Sequence, residues 1–306
     1  MTKKKEIDFL FLGHTDVVPA SCKFWSSNPF DFTLKNGFVF SRGICDMKGS
    51  IYSIFICIRN LLKSRTNISI VIMLSGDEEG SSLYGAKEIV KRLRGRIIAN
   101  NCIIGEPTSS YNIIDTVRNG RRGSLNFAIK ISGIQSHNAY PLLKGNICKP
   151  LYLFLYIIRC SNGNFYDIKV SDTKTNVTPI YIKIYINIRY SNNKELIFLK
   201  DKLKSLSRKY SLSLSFKKIS NSKPFYKKSS GLIATIKNSI PYKSLRIDRF
   251  GGGTSDGRFI RKISKNMVEI GLINKTIHSN NENSRLSDIY ALSLIYFSIV
   301  SNLYKN

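Results

Sequence analysis

In the first third of the chain, the pattern of apolar and polar residues predicts strands that alternate with helices. Residues 7–13 (IDFLFLG) and 68–75 (ISIVIMLS) are short continuous apolar runs, which predict strands buried on both faces. Residues 49–63 and 84–93 have helical periodicity, and residues 101–105 predict another short strand. Buried strands that alternate with helices indicate an α/β fold with a mostly parallel, doubly wound sheet.

The pattern changes near residue 121, where a second kind of sheet is predicted. Segments 124–132 and 180–190 alternate apolar and polar residues, as strands do when one face of an antiparallel sheet is solvated. Helical runs at 147–159 and 195–209 accompany these strands. We therefore predict an inserted α+β domain made of an antiparallel sheet plus two helices.

The α/β pattern returns after this insert, with a helix at 230–239, a strand at 267–271 and a C-terminal helix at 286–304. A glycine-rich turn at 251–253 lies between the first two of these elements. The predicted domains are an α/β domain formed by residues 1–121 and 227–306, and an insert formed by residues 122–226.

The amino-acid composition bears on whether the chain binds nucleic acid or a membrane. Lys and Arg number 48 against 20 Asp and Glu, for a net charge of +28 over 306 residues. These basic residues are scattered rather than grouped in a nucleic-acid-binding motif, so we predict no nucleic-acid partner. The apolar stretches Ile51 to Leu62 and Leu151 to Ile158 are too short to cross a bilayer. The six cysteines form no CxxC pair, which favours buried free thiols in a reducing compartment, so we predict a cytoplasmic protein without a membrane partner.

Histidine and acidic residues follow the predicted strands of the α/β domain. His14 follows the first strand, Glu78 and Glu79 follow the strand at 68–75, and Glu106 follows the strand at 101–105. The carboxyl ends of strands in an open α/β sheet form the ligand crevice. We expect these residues to face that crevice together with Asp46 and His278. A solvated acidic loop would explain the triplet at 77–79 but not the repeated placement.

This set of residue types points to metal chemistry. Imidazole and carboxylate ligands together suit zinc, and a carboxylate that bridges two ions suits a two-metal site. Three adjacent carboxylates at one strand end also repel each other unless a cation compensates them. The sequence therefore predicts a metal site at the carboxyl edge of the α/β sheet.

A series of short motifs resembles the di-zinc aminoacylase and carboxypeptidase family. The motifs occur in that family's order between residue 7 and about residue 282. They are GHTDVVP (13–19), W-SSNPF (25–30), RGICDMKGS (42–50), DEEG (77–80), GEPTS (105–109), NGRRGS (119–124), GIQSHNAYP (133–141), NVTP (176–179), GGTSDGRF (252–259) and NKTIH (274–278). NGRRGS, GGTSDGRF and the Asn four residues before the last His point to the desuccinylase branch of the family.

The resemblance implies a role for each metal-site residue. One zinc would be bound by His14, Asp46 and Glu106, and the other by Asp46, Glu79 and His278. Glu78 would act as general base and acid, and Asp16 would orient His14. His137, from the insert, would stabilise the oxyanion in the site of a partner subunit.

The resemblance also implies a reaction and an assembly. The reaction is hydrolysis of N-succinyl-LL-2,6-diaminopimelate to succinate and LL-2,6-diaminopimelate, a step in lysine and cell-wall precursor biosynthesis. A homodimer would carry it out with two Zn²⁺ per chain, Co²⁺ being able to substitute, and the insert would be the dimerisation and lid domain. The substrate-binding residues would be Arg121, Ser124, Tyr140, Asn176, Arg189, Gly253, Thr254 and Asn274.

The chain departs from the family pattern at a few positions. An additional helix and strand usually precede the first metal-ligand strand, so the N-terminus is expected to be shortened. Ser136 stands where the family usually has Gly before the His, and Arg118 replaces a usual Lys. Because every metal and base position is kept, we expect an active enzyme.

Three other functions remain open on the sequence. The chain could be another amide hydrolase of the family, such as an acetylornithine deacetylase or a dipeptidase. It could be a non-catalytic di-zinc fold that serves as a binding module, although Glu78 would then have no purpose. A basic nucleic-acid binder is the last alternative, and salt-dependent binding to generic DNA would support it.

Overall fold

The computed structural model describes residues 5–64, 67–171, 174–241 and 244–304. The strands are β1 Lys5–His14, β2 Thr33–Lys35, β3 Phe38–Phe40, β4 Ile70–Ser75, β5 Ile97–Ile104, β6 Thr116–Arg118, β7 Gly120–Arg121, β8 Gly123–Ser132, β9 Gly163–Val170, β10 Tyr181–Tyr190, β11 Ser213–Ser222, β12 Phe225–Tyr226, β13 Arg246–Asp248, β14 Ser264–Glu269 and β15 Asn283–Arg285. The helices are α1 Gly49–Lys63, α2 Gly85–Leu93, α3 Leu151–Cys160, α4 Asn193–Lys209, α5 Ser230–Ser239, α6 Gly257–Ile260 and α7 Leu286–Leu303.

The chain divides into two compact units. Unit 1 contains the residues up to Gly120, Tyr226–Gly251 and the residues from Ser255 onward. Unit 2 contains Arg121–Phe225 and the short segment Gly252–Thr254. The segment Gly252–Thr254 comes from the predicted glycine-rich turn, so the second unit is built from two pieces of chain.

Unit 1 is built on a six-stranded sheet in the order β13-β6-β14-β5-β1-β4. Strands β14, β5, β1 and β4 run parallel to one another, and β13 runs parallel to β6. Within the described residues, the β14–β6 pair is the one antiparallel pair of this sheet. Consecutive β1 residues from Phe9 to Leu12 are all buried, so both faces of the sheet are covered. Helices α1, α5 and α7 pack together over one face, and α2 and α6 pack against strands β4 and β14. The predicted mostly parallel α/β sheet is confirmed.

Unit 2 is an antiparallel sheet in the order β11-β8-β10-β9 with the helices α3 and α4. Burial alternates along β10 because Ile182, Ile184, Ile186 and Ile188 pack into the core of unit 2, and the residues between them lie on the other face. The predicted inserted α+β fold, with two helices and one solvated face, is confirmed. Strands β9 and β11 were missed because their residues are mostly exposed and follow no clear apolar repeat.

Helix α7 is 18 residues long and strongly apolar. By length and composition it could cross a membrane, and the prediction from shorter apolar stretches overlooked it. Its buried residues, among them Leu292, Tyr296 and Ile299, belong to the core of unit 1 and pack with α1. A core helix of a folded domain explains its apolar composition.

The prediction of buried free thiols is correct for three of the six cysteines. Cys45, Cys57 and Cys102 are buried free thiols, whereas Cys22, Cys148 and Cys160 are exposed. None of the cysteines in the described ranges forms a disulfide. Burial was predicted from apolar neighbours, which do not by themselves give the face of an element on which a thiol lies.

Candidate active site

Parallel strands of unit 1 deliver the candidate ligands to one edge of the sheet. His14 is the last residue of β1, Glu79 lies four residues beyond the end of β4, and Glu106 lies two residues beyond the end of β5. His278 lies beyond the end of β14, in the loop that leads to β15. Because β4, β1, β5 and β14 are adjacent and parallel, their carboxyl ends meet, as expected for a ligand crevice.

Asp46 reaches the same edge from the turn that precedes α1. This turn spans Ile44–Lys48, and the peptide bond between Asp46 and Met47 is cis. Gly105 allows close approach, since a Cβ there would lie 2.8 Å from Cβ of Ser50 and 2.7 Å from Cε of Met47. The start of α1 therefore packs directly on the end of β5, which brings Asp46 and Glu106 together.

Asp46 uses its two carboxylate oxygens toward different histidines. Its Oδ1 lies 3.0 Å from Nε2 of His14, and its Oδ2 lies 3.5 Å from Nε2 of His278. Oε1 of Glu79 lies 2.9 Å from Nε2 of the same His278. A carboxylate placed in this way can contribute one oxygen to each of two neighbouring ions.

Three groups of ligand atoms in this cluster are close enough to hold a metal ion. They are His14 with Asp46 and Glu106, Asp46 with Glu79 and His278, and His14 with Glu78 and Glu79; within each group the atoms lie within 4.8 Å of one another. The first two groups coincide with the ligand sets that the family resemblance implied. We name His14, Asp46, Glu78, Glu79, Glu106 and His278 the carboxylate cluster.

The electrostatics of the carboxylate cluster follow from its excess of acids. Burial lowers the pKa of His14, but the hydrogen bond to Asp46 and the nearby charges of Glu106 and Glu78 outweigh it and raise that pKa to about 10. Hydrogen bonds to Asp46 and Glu79 raise the pKa of His278 to about 10. The surrounding carboxylates therefore favour the protonated form of both imidazoles.

The pKa values of two acids in the cluster, Asp46 and Glu78, are shifted in opposite directions. Burial tends to raise the pKa of Asp46, but hydrogen bonds from His14 and His278 outweigh it and hold that pKa below its ordinary range. Burial raises the pKa of Glu78 to about 8, although the charge of His14 lowers it. Asp46 is thus kept as a carboxylate, while Glu78 is tuned toward exchanging a proton near neutral pH.

The donor set fits divalent metal ions. Two imidazoles and several carboxylates, mostly buried, offer the nitrogen and oxygen ligands that zinc takes in proteins. Beside this set, Oδ1 of Asp16 is a buried oxygen that has no hydrogen-bond partner in the part of the chain that the structure describes, and it lies 3.6 Å from Nδ1 of His14. Such a concentration of buried acceptors is stabilised by cations.

Asp16, which was expected to orient His14, contacts the His14 ring more closely through its backbone oxygen than through its carboxylate. Nδ1 of His14 lies 3.0 Å from the backbone oxygen of Asp16, closer than the 3.6 Å to the carboxylate. The Asp16 carboxylate instead accepts a hydrogen bond from the backbone N–H of Glu79 at 3.0 Å. Asp16 therefore contacts two candidate ligands, one through its backbone and one through its side chain.

Unit 2 contains a cluster of opposite charge, Arg121, Arg122 and Arg189, which we name the arginine cluster. Arg121 is buried and donates from Nη1 to the backbone oxygen of Gly253 at 3.3 Å. Burial and the charges of Arg122 and Arg121 lower the pKa of Arg189. Nε of Arg122 and Nη1 of Arg189 are buried without a hydrogen-bond partner among the described residues. This cluster offers donors to an anion.

Ser124 and the 252–254 segment belong to the same end of unit 2. Ser124 pairs with Arg189 across β8 and β10, and its hydroxyl accepts a hydrogen bond from Nδ2 of Asn187 at 2.9 Å. Gly253 contacts Arg121, and Thr254 is its neighbour in the chain. The fold of unit 2 therefore gathers five of the predicted substrate-binding residues, namely Arg121, Ser124, Arg189, Gly253 and Thr254.

His137, Tyr140 and Asn176 form a separate group in unit 2. The His137 and Tyr140 rings are 5.7 Å apart, and the backbone N–H of Asn138 donates to the backbone oxygen of Asn176. This group lies on loops past the end of β8, whereas Ser124 lies at its beginning. An extended strand of this length separates the two ends by roughly 26 Å. Within one chain, the fold does not bring His137 to the arginine cluster.

The remaining substrate-binding prediction, Asn274, lies in unit 1. Its backbone N–H donates to the backbone oxygen of Ser109 at 2.9 Å, which ties the loop carrying His278 to the segment after Glu106. A cavity of about 570 Å³ nearby is lined by Phe38, Tyr111 and other residues, but by none of the carboxylate cluster. The candidate site is therefore recognised by the chemistry of its side chains rather than by a cavity.

Sequence reasoning missed two buried acids beside the cluster. Glu282 is 1 % exposed and bonds to the turn that carries Asp46. Asp256 is buried, accepts a hydrogen bond from the Ser75 hydroxyl at 2.8 Å, and its charge acts on Glu78. Both are unusual because acids are seldom fully buried, yet burial of a loop residue leaves no periodic signal in the sequence.

Comparison with known proteins identifies the family. Residues 10–302 match the model of peptidase family M20/M25/M40. The chain belongs to this family. It is therefore an amide hydrolase with a metal cofactor, and the carboxylate cluster is where such a cofactor would bind.

Several curated members of the family are similar over nearly the whole chain. A succinyl-diaminopimelate desuccinylase of Wigglesworthia glossinidia brevipalpis is 36 % identical, over 96 % of this chain and 83 % of its own length. A protein of the same name from Colwellia psychrerythraea is 32 % identical, over 99 % of this chain and 81 % of its own length.

Solved structures support the fold. A tripeptidase of Staphylococcus aureus matches 98 % of this chain and 82 % of its own with a TM-score of 0.74 at 15 % identity. An aminopeptidase of Bacillus cereus matches 99 % of this chain and 83 % of its own with a TM-score of 0.73 at 17 % identity. At these identities the likeness concerns the fold alone.

Proposed function

We propose that the chain hydrolyses N-succinyl-LL-2,6-diaminopimelate to succinate and LL-2,6-diaminopimelate, a step of lysine and cell-wall precursor biosynthesis. The observation that carries this proposal is the identity of 36 % to a succinyl-diaminopimelate desuccinylase over 96 % of the chain. The peptidases of similar fold are only 15–17 % identical and do not favour a peptide substrate.

The arginine cluster supports the choice of an anionic substrate. Succinyl-diaminopimelate carries three carboxylates, and each needs cationic or hydrogen-bonding groups. Arg189 and Arg121 can hold a carboxylate through parallel N–H donors, a geometry that Lys does not reproduce. Gly253, Thr254 and Ser124 lie at the same end of unit 2 and can add hydrogen bonds. Tyr140, Asn176 and Asn274 complete the proposed substrate set.

Two zinc ions per chain are proposed as the cofactor, with cobalt able to substitute. His14, Asp46 and Glu106 would hold one ion, and Asp46, Glu79 and His278 the other; these are two of the ligand groups with mutually close atoms. When bound, the metal supplies Lewis acidity toward the amide carbonyl and acidifies a water.

Glu78 is the proposed proton carrier. It accepts a proton from the attacking water, which forms the new C–O bond, and delivers the proton to the amide nitrogen as the C–N bond breaks. The new carboxylic acid then passes its proton to the amine, so that the products are the succinate carboxylate and an ammonium group. The raised pKa of Glu78, about 8, suits a group that must both take and give a proton near neutral pH. Asp16 holds the backbone of Glu79 beside it.

A homodimer is proposed because, within one chain, His137 lies far from the arginine cluster. His137 would donate a hydrogen bond to the developing oxyanion, yet it lies at the opposite end of β8 from the arginine cluster, roughly 26 Å along the strand. Supply of His137 by the unit 2 of a second chain removes this difficulty. Unit 2 would then serve as the dimerisation and lid domain.

An exposed apolar surface on unit 2 supports contact with a second copy. Edge strand β9 exposes Phe165, Ile168 and Val170, and the neighbouring helix α3 exposes Tyr152 and Tyr156. An unpaired edge strand with apolar side chains is a template for another chain. Tyr156→Lys should weaken the dimer in light scattering, whereas Tyr111→Lys, which alters a still more exposed tyrosine of unit 1, should leave it intact.

A cytoplasmic location completes the proposal. Cys22, Cys148 and Cys160 are exposed free thiols, and such thiols persist in a reducing compartment. Localisation of a tagged chain by cell fractionation tests this point.

The experiment that tests the substrate is a comparison of catalytic efficiencies. We expect kcat/KM for succinyl-diaminopimelate to exceed kcat/KM for acetylornithine and for a simple dipeptide, because neither carries the succinyl carboxylate. If acetylornithine or the dipeptide is cleaved more efficiently, the desuccinylase assignment fails and only the amide-hydrolase activity stands.

A further inference from the structure

A buried acid, Glu282, connects the two loops that carry Asp46 and His278. Its Oε1 accepts hydrogen bonds from the backbone N–H groups of Cys45 at 2.9 Å and Asp46 at 3.3 Å. Its Oε2 accepts from the backbone N–H of Gly43 and from Nη1 of Arg42, both at 2.9 Å. Four donors from one turn therefore converge on a single carboxylate that lies four residues after His278.

Arg42 strengthens the connection from the other side. Its Nη1 also donates to the backbone oxygen of Ser279 at 3.1 Å, next to His278 in the chain. Its guanidinium lies 5.1 Å from the centre of the Trp25 ring, and both Arg42 and Glu282 are at most 3 % exposed. The Arg42–Glu282 ion pair thus joins the turn at 42–46 to the segment at 278–282 by side-chain and backbone contacts.

The backbone of the loop at His278 has an unusual conformation that neighbouring contacts must stabilise. His278 has a φ of 59°, in the left-handed region that residues other than glycine seldom adopt. Such a conformation persists where surrounding contacts fix it. The contacts of Arg42 with Ser279 and of Glu282 with the 43–46 turn do so one to four residues away.

Stability alone is a weak reason for this arrangement. Desolvation of two charges offsets much of the gain from a buried ion pair, and apolar replacements are often neutral. Glu282, however, also fixes backbone groups of the turn that ends in Asp46. Groups that orient metal ligands in this way commonly change metal affinity when they are replaced.

We propose that Glu282, paired with Arg42, is a positioning residue that couples Asp46 to His278, so that both side chains reach the same metal ion. This inference rests on the proposed function, in which Asp46 and His278 share one zinc. Glu282 touches neither substrate nor metal; it acts through the turn at 43–46 and the loop at 278–282.

Glu282→Gln isolates this role with little change in size. The amide has one accepting oxygen, so its NH₂ group must face either the Arg42 and Gly43 donors or the Cys45 and Asp46 donors. One half of the connection is therefore lost whichever way the amide lies. Arg42→Lys is the second variant, because it keeps the charge but not the two-way contact of Nη1 with Glu282 and Ser279.

Zinc affinity is the readout, measured on the full-length chain by competition with a chelating indicator. We expect Glu282→Gln to weaken at least one of the two zinc equivalents by ~10–100-fold, and Arg42→Lys to weaken it less. The rise in Tm on zinc addition should shrink in the same order, because zinc stabilises the folded chain according to its affinity. A role confined to structure would lower the Tm of both forms and leave the zinc-induced rise unchanged.

Tyr304→Phe is the matched control. It removes a hydrogen bond of 2.7 Å to the backbone oxygen of Asp8, near the start of β1 and far along that strand from His14. It should lower Tm without changing zinc affinity. Unchanged zinc affinity in both Glu282→Gln and Arg42→Lys, with two equivalents bound by the unaltered chain, overturns the inference alone. Failure of the unaltered chain to bind zinc overturns the proposed function as well.

Discussion

The two charged clusters of this molecule are built on opposite principles. In unit 1, parallel strands deliver acids and histidines to one edge of the sheet, where the carboxylates raise the pKa of both histidines. In unit 2, an antiparallel sheet gathers arginines, and burial together with the neighbouring charges lowers the pKa of Arg189. Acids outnumber histidines in the carboxylate cluster, and the arginine cluster contains only cations. In partly buried surroundings, such an excess of one sign of charge is costly without a counter-charge. The carboxylate cluster is thus suited to cations and the arginine cluster to an anion.

The largest effect is expected at Asp46, on which both proposed metal positions depend. Asp46→Ala should reduce bound zinc from about two ions per chain to less than one, and should abolish turnover. Elemental analysis of the purified variant checks the metal content. Retention of both ions would show that the carboxylate cluster does not share Asp46.

Glu78→Gln should separate proton transfer from metal binding within the same cluster. The amide removes the proton carrier but none of the proposed ligands, so kcat should fall by ~10²–10⁴-fold while zinc content stays the same. Glu79→Gln is the matched control, since it alters a proposed ligand one residue away. A Glu78→Gln chain that loses zinc, beside a Glu79→Gln chain that keeps it, would reverse the two roles.

His137→Ala tests whether unit 2 completes a site in another chain. We expect both zinc ions and the dimer to be retained while kcat falls by ~10²–10³-fold, as on loss of an oxyanion donor. Mixing this variant with Glu78→Gln chains should restore part of the activity, because a mixed dimer contains one intact composite site. Verified subunit exchange without recovery would argue that His137 does not act in trans.

Arg189→Lys should have the smallest of these effects and should leave the carboxylate cluster untouched. The substitution keeps the charge but loses a parallel N–H donor to a substrate carboxylate, a loss of about 1.5–3 kcal/mol, or ~10–150-fold in kcat/KM. Zinc content should not change. A loss of zinc rather than of catalytic efficiency would contradict the proposal that the carboxylate cluster binds metal and the arginine cluster binds substrate.

Periodicity and turn chemistry predicted much of unit 1. The helix predicted at 49–63 is observed as Gly49–Lys63, because its apolar repeat is regular and a glycine opens it. The strand predicted at 101–105 in fact begins at Ile97, since the polar pair Asn100 and Asn101 interrupts the apolar run. In unit 2 the helix predicted from 147 begins at Leu151, directly after Pro150.

Within unit 1, two parts of the candidate site were predictable to different degrees. Strand ends in a parallel sheet meet by topology, so the grouping of His14, Glu79 and Glu106 followed from their positions after apolar runs. The contacts of Glu282 with the 43–46 turn could not be predicted, because they join loops about 240 residues apart in the chain through conformations that no local pattern specifies.

The most direct test of the account is a zinc titration of the metal-free chain, with succinate release from succinyl-diaminopimelate as the signal. We expect no succinate release before zinc is added. Activity should then rise and reach a plateau at about two zinc ions per chain, and a chelator should abolish it again. Full succinate release by a folded chain that contains no metal would contradict the account at its centre.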